Sequence, residues 1–195
     1  GNSMNDARSG GVIGGTQTSA IAAGGSIPAP TPPSNSNKAE SYNGTSWTIE
    51  TVTPTYLFGG KGFSGQSETS NIFIGVGASS EDTFSFNGTS WSDLSKTLVA
   101  GQNSLAGGSQ QGTSTAAIIA GGFDPAPAIT TVSQQYDGSA WATAPSLGSG
   151  RRGGGAAGSA TSCLAVGGEA PARTNACEEF TGETSAVNIE TLTTS

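Results

Sequence analysis

The pattern aromatic-x-Gly-x-x-Trp occurs three times in this chain at nearly constant spacing. It reads Tyr42-Asn43-Gly44-Thr45-Ser46-Trp47, then Phe86-Asn87-Gly88-Thr89-Ser90-Trp91, then Tyr136-Asp137-Gly138-Ser139-Ala140-Trp141. A fourth copy, Phe180-Thr181-Gly182-Glu183-Thr184-Ser185-Ala186, has lost the Trp. The lead aromatics at 42, 86, 136 and 180 are separated by 44, 50 and 44 residues. Self-similarity at such a period marks a modular array, in which each unit buries its apolar face only by stacking against a neighbour. A propeller blade has this length.

Composition narrows the class of unit. Of 195 residues 31 are Gly, hydrophobic residues make up 33% and charged residues 11%. Disordered chains of low hydrophobicity carry more charge and lack periodic aromatics. Here the apolar residues gather in short runs, Asn71-Ile72-Phe73-Ile74 and Thr115-Ala116-Ala117-Ile118-Ile119-Ala120 among them, flanked by Gly, Ser, Asn and Pro. Short runs between turn residues read as strands, and no stretch has a sustained helical period. The expectation is an all-β single domain over residues 1–195.

Aligning the copies gives a common order. A Gly-rich first strand leads to a short apolar second strand ending in a double glycine. A variable loop follows, then a third strand ending in the lead aromatic, a tight turn, and a fourth strand opening with Trp. In the first copy these are Ser9–Gly15, Thr18–Gly25, the loop Ser26–Asn37, Lys38–Tyr42 and Trp47–Val52. In the fourth they are Gly153–Gly158, Ser162–Gly168, Glu169–Thr174, Asn175–Phe180 and Val187–Leu192. The third carries Ser114–Gly122 and Val132–Tyr136, and the second is the most divergent, with Gly75-Val76-Gly77 in place of the double glycine. The units fall near 9–53, 54–96, 97–146 and 147–195. Asn-Gly and Asp-Gly supply the positive φ of a tight hairpin, and the aromatics are expected to be buried between neighbouring sheets.

The double glycines Gly24-Gly25, Gly121-Gly122 and Gly167-Gly168, the lead aromatics and the following Trp resemble the kelch-repeat family of β-propellers. Arg8 and Arg152, ahead of the Gly-rich strand, match a basic position that kelch repeats often carry. Thr16-Gln17-Thr18-Ser19-Ala20 and Tyr42-Asn43-Gly44-Thr45-Ser46-Trp47 are similar to Gly-rich kelch-like repeats of marine phages and uncultured marine microbes. The resemblance implies a four-bladed β-propeller of four-stranded antiparallel blades. It departs from the family at Ala186 and in the missing Arg of the second and third copies, and it names no ligand.

The residues nominate no catalytic, cofactor-binding or metal-binding site. His is absent, which removes the commonest general base and metal ligand. A Ser nucleophile would then need a base such as Lys38, Lys61 or Lys96. Gly148-Ser149-Gly150-Arg151-Arg152-Gly153 fits GxGxxG but lies in an inter-unit link and first strand, without the following helix that presents amides to a pyrophosphate. Asn43-Gly44-Thr45 and Asn87-Gly88-Thr89 are sequons that coincide with the hairpin turn, where turn chemistry accounts for them. The adjacent carboxylates Glu81-Asp82 and Glu178-Glu179 lack calcium-loop spacing. Cys163 and Cys177 flank the Gly167-Gly168 turn as either a cross-strand disulfide or two buried thiols.

A net charge of -7 disfavours nucleic acid, which needs clustered Lys and Arg. No apolar run reaches the ~20 residues that span a bilayer, and no signal-peptide pattern opens the chain. The expected role is a non-catalytic binding or structural module, extracellular or virion-associated, recognising a glycan or a protein through its loops. The competing class is a glycan-active enzyme built on carboxylates from different units. Ile189-Glu190-Thr191-Leu192-Thr193 resembles Ile49-Glu50-Thr51-Val52-Thr53, so four whole units are expected to close as a monomer, with a two-chain, eight-bladed ring as the alternative.

Overall fold

A computed structural model describes residues 1–28, 34–57, 61–64, 71–74, 82–102, 107–108, 113, 115–123, 128–169 and 171–182. These form antiparallel sheets and no helix. The first sheet comprises β1 (Val12–Thr16), β2 (Ser19–Ala23), β5 (Ala39–Tyr42) and β6 (Trp47–Ile49), in that order, with a small ribbon of β3 (Ser26–Ile27) and β4 (Ser34–Asn35) inserted after β2. The second takes β7 (Lys61–Ser64), β8 (Asn71–Ile74), β9 (Asp82–Phe86) and β10 (Trp91–Thr97). The third takes β11 (Gly107–Gly108), β12 (Ala117–Ala120), β13 (Ser133–Tyr136) and β14 (Trp141–Ala144). The fourth has β15 (Gly155–Gly158), β16 (Ser162–Val166) and β17 (Cys177–Thr181). Each sheet is an antiparallel meander drawn from one stretch of chain. The expected strand Val187–Leu192 and the segment Gly75–Gly77 lie outside the described residues.

The hairpin between third and fourth strands is built the same way three times. Asn43 Oδ1 accepts from the amides of Thr45 and Ser46, both at 3.0 Å. Asn87 does the same for Thr89 and Ser90, and Asp137 for Ser139 and Ala140. Gly44, Gly88 and Gly138 take φ of 91°, 92° and 94°, the left-handed geometry that Gly alone adopts cheaply. The hairpins set lead aromatic against Trp in direct register, with ring centroids 5.0, 5.0 and 5.2 Å apart. The Asp137 carboxyl is pulled down to about 2 by the Ala140 amide and by the Ser139 hydroxyl and amide. Its contribution to stability is therefore present above the unfolded carboxylate pKa and lost as pH falls through about 2. Because Asn fills the same role in two copies, Asp137→Asn is expected to leave the melting temperature at pH 7 nearly unchanged. Its melting temperature between pH ~4 and pH ~2 should fall less steeply than the wild type's.

The core lies between consecutive sheets. Val12, Ile21, Ala23 and Ala39 of the first sheet pack with Leu57, Phe84 and Phe86, and Trp91 adds to this cluster. Leu98 and Leu94 pack with Ala117, Ile119, Tyr136 and Trp141 of the third. The indoles reach backwards in chain order: Trp91 Nε1 donates to Thr51 O at 2.9 Å and Trp141 Nε1 to Thr83 Oγ1 at 2.8 Å. First strands approach one another: β1 lies against β7, and β11 against β15.

Two expectations need correction. Of the seven repeat aromatics, Phe86, Tyr136 and Trp141 are buried, but Tyr42, Trp47, Trp91 and Phe180 are only half-buried. Trp91 and Trp141 bond to the preceding copy, whereas Trp47 belongs to the first copy and has none before it in chain order. Neither cysteine is in a disulfide, and Cys163 is half-buried and Cys177 exposed. The hairpin pairs Cys163 with Phe180 and Cys177 with Val166, so the two thiols are out of step along the ladder and no cross-strand disulfide forms.

Candidate functional site: the loop end of the sheets

A meander puts its tight hairpins at one end and its longer connections at the other. The loops after each second strand and the links entering each first strand therefore share one end of their sheets. What fixes a link there is a buried side-chain pair that recurs. Arg8, ahead of β1, donates through Nη1 to Gly24 O (3.1 Å) and Lys38 O (2.9 Å), and through Nη2 to Glu40 Oε1 (2.6 Å). Glu40 also accepts from the amides of Asn5 and Asp6 and from Asn5 Nδ2. Arg151, ahead of β15, donates to Ala176 O at 3.0 Å and pairs with Glu178, which also accepts from the Gly148 amide. In the third copy Gln102 donates to Gly121 O and Val132 O, and Gln134 binds Gln102 together with both backbone groups of Ala100.

Glu40, Gln134 and Glu178 each stand two residues before their lead aromatic. The second copy has Phe84 there, and the residue at the link position is Leu57, whose carbonyl accepts from Gly25 N as Arg151 O accepts from Gly122 N. Leu57 and Phe84 are both fully buried and pack in one cluster. One structural position is thus filled by an ion pair, an amide pair and an apolar pair, which is the set of substitutions that keeps a buried site satisfied. The counterpart of Arg8 is Arg151, not the Arg152 assigned from sequence. Arg8 and Arg151 have corresponding acceptors in Lys38 O and Ala176 O and in Glu40 and Glu178, whereas Arg152 turns to Glu169. Burial pushes the Glu40 carboxyl up, but the bonds from Asn5, Arg8 and Asp6 outweigh it and hold the group below its ordinary value.

Above this frame the loops form small ladders. Ser26 bridges Ser9 and pairs with Asn35, Phe123 bridges Ile129, and Glu169 bridges both Arg152 and Arg173. The pairing across the loop, Ser26 with Asn35, Phe123 with Ile129 and Glu169 with Arg173, is common to the three copies and the residue types are not: hydroxyl and amide in the first, apolar in the third, charged in the fourth. Arg152 also joins the third and fourth copies, its guanidinium carbon 4.3 Å from the centroid of the Phe123 ring and Nη2 3.0 Å from Glu169 Oε1. A cleft of about 170 Å³ lies between these sheets, lined by Ile118, Ser133, Pro145, Cys163, Glu178 and Phe180 with their neighbours. Two carboxylates line it, Glu178 and Glu179, and Glu178 is already committed to Arg151 and to the Gly148 amide. Among the carboxylate pairs noted in the sequence, Glu81 lies outside the described residues.

Sequence reasoning gave the variable loops Ser26–Asn37 and Glu169–Thr174, and the structure brings their bases to one end of their sheets. It missed the buried pairs. The signal was available in the residue two before each aromatic, because Glu, Gln and Phe at a common register position demand matching partners elsewhere. Among the described residues no group of three His, Cys, Asp or Glu side chains is placed to hold a metal, and no helix is long and apolar enough to cross a membrane. No protein-family model matches the chain, and no curated protein matches it.

Proposed function

We propose that the chain is a kelch-like, four-bladed β-propeller acting as a non-catalytic binding or structural module, with its loop end turned to a glycan or protein ligand in a virion or cell-surface setting. The observation that carries the reading is the repeated ladder: one backbone frame holds three different sets of side chains. A frame kept constant while its contents diverge is how recognition loops sit on a rigid scaffold. The kelch assignment rests on the residues themselves, the double glycines and the aromatic-Trp hairpins.

Closure into a ring has a specific support. Gly25 N donates to Leu57 O at 2.6 Å and Gly122 N to Arg151 O at 2.7 Å, each joining one copy to the next. The third double glycine ends at Gly168, and the matching acceptor at the start of the first copy is Arg8 O. Among the described residues no hydrogen bond or ion pair yet joins the fourth copy to the first. A ring closed within one chain supplies the Gly168-to-Arg8 bond, and it gives Trp47 the preceding sheet that Trp91 and Trp141 already have. The expected result is a monomer of 19.1 kDa by light scattering, with the Gly168 amide exchanging as slowly as those of Gly25 and Gly122. A stable dimer would replace the closed monomer with a shared ring. Recognition is tested by a glycan array and by capture on cell envelopes. Release of reducing ends from a polysaccharide, abolished by a single carboxylate substitution, would overturn the non-catalytic reading.

A further inference from the structure

We propose that the charged ladder of the fourth copy, Arg152, Glu169 and Arg173, binds an acidic sugar bearing carboxylate or sulfate groups; this rests on the reading of the loop end as a recognition face. Residues directly opposite one another in an antiparallel ladder project to the same side, so the bridges from Glu169 to Arg152 and to Arg173 put all three side chains on one face. That face holds two cations and one anion on a chain of net charge -7. Three other cationic side chains are committed: Arg8 to Glu40, Arg151 to Glu178, and Lys38 to Asp6 at 2.9 Å. Glu169 neutralises Arg152 alone. Arg173 is exposed and forms no ion pair among the described residues.

The groups line one shallow cleft of about 510 Å³ with Gly153, Gly168 and Thr174, within the size of small-ligand sites. Stacking on Phe123 and the bond to Glu169 hold the Arg152 guanidinium in place, while its Nε is buried and has no hydrogen-bond partner. A planar fork held rigid loses little freedom on meeting a carboxylate or sulfate. A methyl group built on Gly153 would meet nothing within 4 Å, so the cleft is open above the backbone. Glu169 supplies an acceptor for a sugar hydroxyl and disfavours densely charged polyanions such as polyphosphate. The charge is not required for folding, because the ladder of the first copy forms with Ser9, Ser26 and Asn35 and that of the third with Phe123 and Ile129.

The test is binding of the whole protein to immobilised polygalacturonate, dextran sulfate, neutral dextran and polyglutamate, at two salt concentrations. Binding to polygalacturonate or dextran sulfate is expected, weakening as salt rises, with no binding to dextran; which polymer binds identifies the anionic group. Arg173→Gln is expected to weaken it about tenfold, as loss of a charge-assisted contact does, with an unchanged melting temperature. Glu169→Gln is expected to tighten it. Equal binding to polyglutamate overturns the sugar assignment. Glycan binding that Arg173→Gln leaves unaltered overturns this site but leaves the recognition face standing. A protein that captures no glycan and no envelope component loses both.

Discussion

Glu40→Ala is expected to destabilise the fold by about 3 to 5 kcal/mol, the cost of removing one partner from a buried ion pair. In a chain of this length each kcal/mol moves the melting temperature by roughly 2 to 4 °C, so a fall of about 6 to 20 °C is expected in calorimetry. Glu40 is fully buried and Arg8 nearly so. The substitution strands the Arg8 guanidinium in the interior and takes the acceptor from two backbone amides and an Asn side chain. The second copy shows how the same space can be filled without charge. Arg8→Leu combined with Glu40→Phe, which reproduces Leu57 and Phe84, is expected to recover more than half of the loss. If the double variant is as unstable as the sum of the two single ones, the positions are not equivalent.

The same pair gives a pH signature. The Glu40 carboxyl is held below its ordinary value by its hydrogen bonds against the opposing effect of burial. A depressed carboxylate contributes stability that is fully present above the unfolded pKa, near ~4.3 for Glu. That contribution disappears as pH falls through the lowered folded value. Wild-type melting temperature should therefore drop on acidification below the ordinary Glu range, and the Leu/Phe double variant should show a flatter profile.

Much of this architecture was legible because its rules are local. Asn43-Gly44, Asn87-Gly88 and Asp137-Gly138 announce hairpins through backbone stereochemistry, and the sheets form around them in the expected register. Gly24-Gly25, Gly121-Gly122 and Gly167-Gly168 mark strand exits, with positive φ at all six positions. What stayed hidden depends on through-space pairing. Arg151 and Arg152 are neighbours in the chain with opposite fates, one 1% exposed against Glu178 and the other at the loop ladder, and nothing local separates them. The cysteine register turned on how many residues the loop after β16 consumes. The unequal burial of the aromatics turned on which sheet stands next to each. The charged ladder was invisible for the same reason: Glu169 and Arg173 are unremarkable residues until the loop folds them against Arg152.

Trp141 is expected to be the most costly of the repeat aromatics to remove. Truncation of a buried Trp to Ala costs about 3 to 5 kcal/mol through lost transfer energy and the cavity left behind. Trp141 is 6% exposed, packs in the cluster of Leu98, Ala117, Ile119 and Tyr136, and bonds to Thr83 of the second sheet. Losing it leaves the fully buried Thr83 hydroxyl without the indole N–H, which adds a polar penalty to the cavity. Trp91 packs against the first cluster but is only half-buried, and Trp47 lies at a sheet with no predecessor in chain order. The losses should therefore rank Trp141→Ala above Trp91→Ala above Trp47→Ala in urea titrations of the three variants. Trp141→Phe separates the two parts of the effect, since it keeps most of the apolar contact and discards the bond to Thr83. It should retain more than half of the stability that Trp141→Ala loses. Ring closure makes its own mark on the series. If the first sheet packs on the fourth, Trp47→Ala approaches the cost of Trp91→Ala, whereas a value near zero means that nothing covers Trp47 and the ring is not closed by this chain.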